Sequence, residues 1–340
     1  MRKLLSQIHN GLLIVRWMIA QYKKEFDRYS QFLQEGVYLP SIGGDGIYEK
    51  NHTPVIISRT FSSRYEFWSI IRRLLILVSH CVSMKPLRTE ESRFSATECI
   101  RCSSGREYKF FDFANRQVLT LYLDKEKLKT VSRNRVFFAQ YFCTPKIIEC
   151  NETLGFIIEE LVEQTSFDKE VAFKKILSQY SSYLNQTQQQ PCKTFENDSN
   201  VSMFQDVFGH SPLFDMKIML PQICTHGDLW SSNIMYDSKQ FYLTDFEAAK
   251  ERYIYYDFFT YIFSEWLLDN DDSLLNNFFY GLYDAWLTQS AELFNCTFDV
   301  HNRDVYFLHF IVELYNERWK QTTSMNQIVF KTIEKFIKRY

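Results

Sequence analysis

The spacing of apolar residues changes character along the chain and divides it into segments. Residues 1–35 read as helix, with Leu13, Trp17 and Ile19 set among charged positions. Phe61 to Val82 again has helical spacing at Phe67, Ile70, Ile71 and Leu74. Between them, residues 41–46 concentrate three of the ten glycines. No Gly-Lys-Ser/Thr follows, so a flexible turn is preferred there to a phosphate-cradling loop. Residues 83–95 are polar, contain Pro86 and suit a linker.

From Ala96 the texture becomes that of strands. Glu98 to Cys102 is one candidate. Tyr108 to Phe113 and Val118 to Leu123 flank Ala114–Gln117 as a hairpin. A helix follows over Lys127 to Tyr141, then strand-like segments at Pro145–Ile148 and Gly155–Leu161. Asp168 to Leu184 is an amphipathic helix, with Phe173, Ile176, Leu177, Tyr180 and Leu184 on one face. Residues 185–200 form a polar insert. Ile234–Tyr236 and Phe241–Leu243, joined by the polar Asp237–Gln240, read as a second hairpin. Helices are expected over Phe258–Leu268, Leu274–Phe294 and Val305–Tyr340. The expected organisation is α+β: a helical N-terminal extension over 1–90, a β-rich part over 96–160 and a largely helical part over 161–340.

Composition narrows the class. The chain has 340 residues, 46% hydrophobic, with 31 Phe and 21 Tyr against 10 Gly and 7 Pro, which favours helix-rich packing over a turn-rich β-sandwich. A formal net charge of −2 argues against a nucleic-acid partner, which calls for a basic excess. Of eight cysteines only Cys99 and Cys102 form a C-x-x-C. With no second pair at zinc spacing, buried thiols are the preferred reading and a reducing, cytoplasmic setting is expected. The apolar runs at Leu12–Ala20 and Leu74–Val78 are too short or too interrupted for a span. Arg2, Lys3, Arg16, Lys23 and Lys24 leave peripheral attachment to the inner face of a membrane open through residues 1–90, with a solvated helix face preferred.

The chemistry concentrates in His226-Gly227-Asp228-Leu229-Trp230-Ser231-Ser232-Asn233 and, twelve residues on, Asp245-Phe246-Glu247. A hairpin between them brings its two ends together. Asp245 is therefore expected beside Asn233, with Asp228 on the loop leading in. One carboxylate then faces an acceptor hydroxyl, while a carboxylate and an amide oxygen face phosphates. This is the hard-oxygen set that Mg²⁺ accepts, and phosphoryl transfer needs such charge neutralisation and positioning.

These residues resemble the catalytic signature of the aminoglycoside phosphotransferase and choline kinase group, small-molecule kinases with a protein-kinase-like fold. Tyr255-Tyr256-Asp257-Phe258 is similar to the group's downstream aromatic-Asp motif. The resemblance implies a two-lobed fold with ATP and Mg²⁺ as cofactors. Asp228 would act on the acceptor hydroxyl, Asn233 and Asp245 would hold the metal, and His226 and Asp257 would brace the loop. It also implies a nucleotide-covering turn at Gly105 and a hinge at Glu160, Leu161 and Val162 against the adenine edge. Trp230 and Glu247 stay open between site and packing roles. The sequence departs from the group at the third strand, where Thr120 stands in place of a phosphate-pairing lysine. The following helix offers Arg133, Asn134 and Arg135 in place of a glutamate. Lys109, Arg106 and Arg133 are the candidate substitutes.

The expected activity is ATP-dependent phosphorylation of a hydroxyl on a small molecule or sugar, with cell-surface polysaccharide or lipopolysaccharide assembly as the setting suggested by analogy. The alternative is a catalytically silent kinase-like module that binds nucleotide or a partner.

Overall fold

A computed structural model describes residues 30–36, 38–40, 46–49, 94–102, 106–187, 220–269, 271–319 and 334. The helix expected over 1–35 lies outside the described residues up to 29, and its described end holds a short 3-10 turn at Ser30–Phe32. The helix at 61–82, the linker up to 93, Gly105, the polar insert beyond Thr187 and all but residue 334 of the chain past 319 also lie outside them. The chain divides into two compact units. The first holds residues up to Ser132 together with Pro145–Val162, and the second holds Arg133–Thr144 and everything from Glu163.

The first unit is built on an antiparallel sheet. Its strands are β1 (Tyr38–Pro40), β2 (Gly46–Glu49), β3 (Glu98–Arg101), β4 (Glu107–Asp112), β5 (Gln117–Tyr122), β6 (Ile147–Asn151) and β7 (Phe156–Glu160), in the order β1-β2-β3-β4-β5-β7-β6. Alternation selects its faces. Tyr108, Phe110, Leu119, Leu121, Phe156 and Ile158 cluster with Phe32, Leu33, Tyr38, Ile47 and Phe94. The Tyr38 hydroxyl donates to the carbonyl of Ala96 at 2.7 Å, which ties the start of the described chain to the strand region. The opposite face carries Phe111 and Val118 with Leu161, and Ile157 with Leu128 and Val131 of helix α1 (Lys125–Phe138). Two strands, β1 and β2, thus lie between the two segments read as helix, on either side of the glycine-rich turn, within the expected extension over 1–90. They are three and four residues long, and too short for a periodic signal in the sequence.

Among its described residues the second unit is α-helical apart from two small ribbons, β8 (Gln222–Thr225) with β11 (Lys250–Tyr253) and β9 (Ile234–Tyr236) with β10 (Phe241–Leu243). The hairpin expected at 234–243 is present, with Phe241 opposite Tyr236 and Leu243 opposite Ile234. Its helices are α2 (Lys169–Thr187), α3 (Tyr256–Asp269), α4 (Ser273–Phe279), α5 (Asp284–Glu292) and α6 (Arg303–Leu314), followed by a five-residue π-helical stretch, Tyr315–Trp319. The core is aromatic. Phe173 stacks on Tyr261 at 4.6 Å, Phe258 on Trp286 at 5.5 Å, and Phe259 packs edge-on to Phe278 at 5.1 Å. The helix expected over 274–294 is broken because Gly281 takes φ +81°, a left-handed conformation that ends α4 and lets the chain turn. Of the aromatic run that follows α3, Phe278 and Tyr283 are buried, whereas Tyr280 is 82% exposed. Together the two units give the α+β organisation expected from the pattern.

Near the end of α6, burial and the neighbouring Glu317 push the Glu313 carboxyl up to about 7 from its ordinary 4.5. The unfolded chain releases this proton near 4.5, whereas the folded chain keeps it until about 7. Between those values the folded state binds the extra proton, so stability falls as pH rises, by up to about 3 kcal/mol. Glu313→Gln is expected to flatten this slope in denaturant titrations between pH 5 and pH 8, and to leave a more stable protein than the parent at pH 8.

Candidate active site

The candidate site lies in the second unit, on the segments that join its two small ribbons. β8 runs into His226, and a short 3-10 turn at Ser231–Asn233 leads into β9. β10 ends at Leu243, and a second 3-10 turn at Phe246–Ala248 leads into β11. Because β8 pairs with β11, with Thr225 opposite Lys250, the loop that carries Asp228 and the segment that carries Asp245 are closed on each other at both ends.

Asp257, in the first turn of α3, is 1% exposed and fixes the loop. Its Oδ2 accepts the His226 amide at 2.6 Å and its Oδ1 the Gly227 amide at 2.7 Å. The Tyr180 hydroxyl of α2 donates to Oδ2 as well. A buried carboxylate is costly unless its lone pairs meet donors, and here two amides and a phenol supply them. Burial and that carboxylate hold the Tyr180 phenol well above its ordinary range, so it stays a donor.

His226 is fully buried and joins the two segments. Its Nε2 lies 2.8 Å from the carbonyl of Thr244, and its Nδ1 accepts the Asp228 amide at 3.3 Å. A carbonyl only accepts, so Nε2 carries the proton. The Thr244 amide and hydroxyl in turn donate to the Asn233 carbonyl at 3.0 and 3.1 Å. Thr244 precedes Asp245, so the His226 ring holds the peptide that presents it. The Asn233 side-chain amide donates to the Asp228 carbonyl at 2.7 Å and to its Oδ2 at 3.0 Å. With its NH₂ turned to Asp228, Asn233 keeps its Oδ1 as an acceptor or ligand. Asp245 is exposed and sits at φ +63°, ψ +69°. Asp tolerates this left-handed region better than most residues, yet it remains a held, uncommon conformation of the kind that gathers at functional sites.

The structure therefore brings Asp228 and Asn233 into direct contact and sets Asp245 one residue beyond the peptide bonded to Asn233. His226 and Asp257 lie behind them. Among the described residues no three His, Cys, Asp or Glu side chains are grouped to hold a metal alone, and an Asn–Asp pair leaves most of a cation's shell to other oxygens. Trp230 is half-buried and Glu247 exposed.

The hinge residues belong to the first unit. The Glu160 amide is taken by the Lys146 carbonyl at 3.0 Å and the Leu161 amide by the Arg116 carbonyl at 2.8 Å. Of the three residues expected to face an adenine, Val162 is left as the backbone donor. Where a glutamate was expected to hold a lysine, the buried Asn134 side chain donates to the carbonyl of Phe246 at 3.0 Å, and so supports the Asp245 segment.

Several supports were not visible in the sequence. Tyr180 read as one more apolar position of α2. Glu265, fully buried, accepts the Ser231 amide at 2.9 Å and lies 2.6 Å from Lys169. Arg252, also buried, donates to the Ala248 carbonyl and to the Thr225 hydroxyl, each at 3.0 Å. Gly227 has φ +81°, and a Cβ there would run into the Ala248 carbonyl and the Arg252 guanidinium. The glycine of His-Gly-Asp is thus imposed by both conformation and space.

No family model matches the chain, and no curated protein matches it. Solved structures do. The amicoumacin kinase hAmiN, in complex with AMP-PNP, Ca²⁺ and Ami, is 10% identical, with 71% of this chain and 88% of that chain covered and a TM-score of 0.42. The choline kinase LicA from Streptococcus pneumoniae is 11% identical, with 71% and 94% covered and a TM-score of 0.43. A thermostable mutant of the aminoglycoside phosphotransferase APH(4)-Ia, in a ternary complex with ADP and hygromycin B, is 14% identical, with 72% and 92% covered and a TM-score of 0.41. None of them assigns a residue or a substrate to this chain.

Gly227→Ala should cost about 2 kcal/mol or more, through strained backbone and displaced Ala248 and Arg252. Asp257→Asn keeps the shape, but its NH₂ must face a donor, so a loss of about 3 kcal/mol is expected. Urea unfolding of the two variants beside the parent checks both figures, and midpoints equal to the parent's would contradict the packing described for the loop.

Proposed function

We propose that the chain is an ATP- and Mg²⁺-dependent phosphotransferase acting on a hydroxyl of a small molecule. The observation that carries the reading is the contact of Asn233 with Asp228, beside a strained, exposed Asp245 whose preceding peptide is held by His226. In this reading Asp228 orients the acceptor hydroxyl and takes its proton as the new O–P bond forms and the bond from the γ-phosphorus to ADP breaks, with ADP leaving. The Asn233 amide steadies the Asp228 carboxylate in the position that requires. Asn233 Oδ1 and the Asp245 carboxylate supply hard-oxygen ligands for Mg²⁺. When bound, Mg²⁺ would neutralise charge on the phosphate oxygens. His226 and Asp257 keep these groups in register and touch neither substrate nor metal.

For the missing lysine we favour Lys109. It lies directly opposite Thr120 in the β4–β5 ladder, the neighbouring strand to the one where the resemblance places a cation. It is half-buried, and its ammonium makes no ion pair with another described residue. Arg106 and Arg133 are exposed. Val162 is the backbone donor we assign to the adenine edge. The acceptor class proposed is a sugar or other polyol in surface polysaccharide assembly, used on the cytoplasmic side of a membrane. Among the described residues no helix is long and apolar enough to cross one.

Calorimetry with ATP tests the cofactor assignment. Binding is expected to strengthen in Mg²⁺. Asp245→Asn should remove that gain while keeping the left-handed conformation. Lys109→Ala should weaken ATP by about tenfold with or without metal, the loss of one charge-assisted contact. ATP binding that neither Mg²⁺ nor these variants alter would refute the assignment. In that case the catalytically silent, partner-binding reading is favoured.

A further inference from the structure

Arg252 bonds both segments of the candidate site and also the stretch that follows α6. Its Nη1 donates to the Ala248 carbonyl, three residues after Asp245, and to the Thr225 hydroxyl, one residue before His226. Its guanidinium lies 4.3 Å from the ring centroid of Tyr256, the neighbour of Asp257, in a cation–π contact. The same group fills the space that a side chain at Gly227 would need. Its outer edge is held by one carboxylate in a fork: Nε donates to Glu317 Oε1 at 3.1 Å and Nη2 to Glu317 Oε2 at 2.9 Å. Lys250 lies 2.5 Å from the same Oε1. Glu317 stands in the π-helical stretch after α6, the kind of local widening that recurs at functional positions.

This arrangement is more than an isolated ion pair. Arg252 is 3% exposed, so its charge is costly to hold, and a packed apolar residue would serve the core at least as well. What an apolar residue cannot do is bond three separate stretches of chain at fixed angles, here through the Ala248 carbonyl and the Thr225 and Glu317 side chains. A planar guanidinium with five donors can. Glu317 determines where the guanidinium points, and Arg252 determines how far the 226–228 loop stands from the 245–248 segment.

We propose that Arg252, aimed by Glu317, is a positioning residue that sets the spacing of Asp228 from the Asn233–Asp245 pair, so that the end of α6 controls the geometry of the site. The proposal rests on the phosphotransfer reading for its consequence but not for its structural content. Neither residue touches substrate or metal.

The test uses the full chain with Glu317→Gln, which keeps shape and weakens the fork, and Arg252→Lys, which keeps charge and loses it. Hydrogen exchange is followed at the His226 and Gly227 amides, with the amides of α2 as an internal reference. Both variants are expected to speed exchange of the loop amides by about tenfold relative to α2. Titration with ATP, with and without Mg²⁺, is the second readout. The gain in affinity from Mg²⁺ is expected to shrink by about fivefold in both variants while metal-free ATP affinity holds within about twofold. A merely structural role would raise exchange in the loop and α2 together and lower both affinities in proportion, and that result overturns the proposal. So does loop exchange equal to the parent's. If the parent itself shows no gain from Mg²⁺, the phosphotransfer reading fails, and the exchange measurement still decides whether Arg252 orders the loop.

Discussion

The arrangement of the candidate site depends on the hydrogen bonds that converge on the Asp257 carboxylate. It sits at the start of α3 and accepts the amides of His226 and Gly227 and the phenol of Tyr180. An unpaired buried carboxylate would be destabilising by several kcal/mol, so those donors are obligatory once Asp257 is buried. The obligation has a geometric result. Two successive amides can point at one carboxylate only if the chain turns sharply, and the turn is made at Gly227 with φ +81°. The His226 side chain is then directed toward the Thr244 carbonyl, which holds the peptide leading into Asp245. Asp228, Asn233 and Asp245 are thus placed by a buried network, to which the Asn233 side chain adds its own bonds to Asp228.

The two units use aromatic residues differently. In the second, rings of α2, α3, α4 and α6 form one continuous core, with Phe173, Phe258, Phe259, Phe278 and Phe307 all buried. Phe138 extends it to the site by stacking on Phe246 at 5.3 Å, the residue after Asp245. Large planar side chains with few rotatable bonds lose little entropy on packing, which suits a core that must hold a loop at fixed distances. In the first unit the sheet separates its tasks by face. One side is closed by Phe110, Leu119, Phe156 and their neighbours, and the other carries Lys109 and Thr120 beside a smaller apolar cluster.

Much of this was legible in the sequence, for reasons tied to particular residues. The 234–243 hairpin shows because two apolar strands flank Asp237 and Ser238. α2 shows because its buried positions, Phe173, Ile176, Leu177, Tyr180 and Leu184, fall on one stripe. The proposed reactive residues show because a short local motif carries them. The supports do not. Tyr180 lies 77 residues from Asp257, and Arg252 lies 65 from Glu317. Both occupy positions that look like ordinary core or surface until the fold brings their partners close. β1 and β2 escaped notice because three or four residues carry no period. The break at Gly281 escaped because one glycine within an apolar run does not announce a left-handed turn. The lysine expected at Thr120 is missing from its strand, and only the β4–β5 register reveals Lys109 directly across from it.

The central claim is that Asp228 acts on an acceptor hydroxyl in phosphoryl transfer. The most direct measurement is ADP formation from MgATP, across a panel of sugars and amino alcohols, for the parent and for Asp228→Asn. The account predicts ADP formation by the parent that rises with a particular acceptor, and a fall of about a hundredfold or more in Asp228→Asn, as expected for loss of a catalytic base. MgATP affinity should be nearly unchanged. Equal rates of ADP formation in the two proteins, with MgATP bound to both, would contradict it.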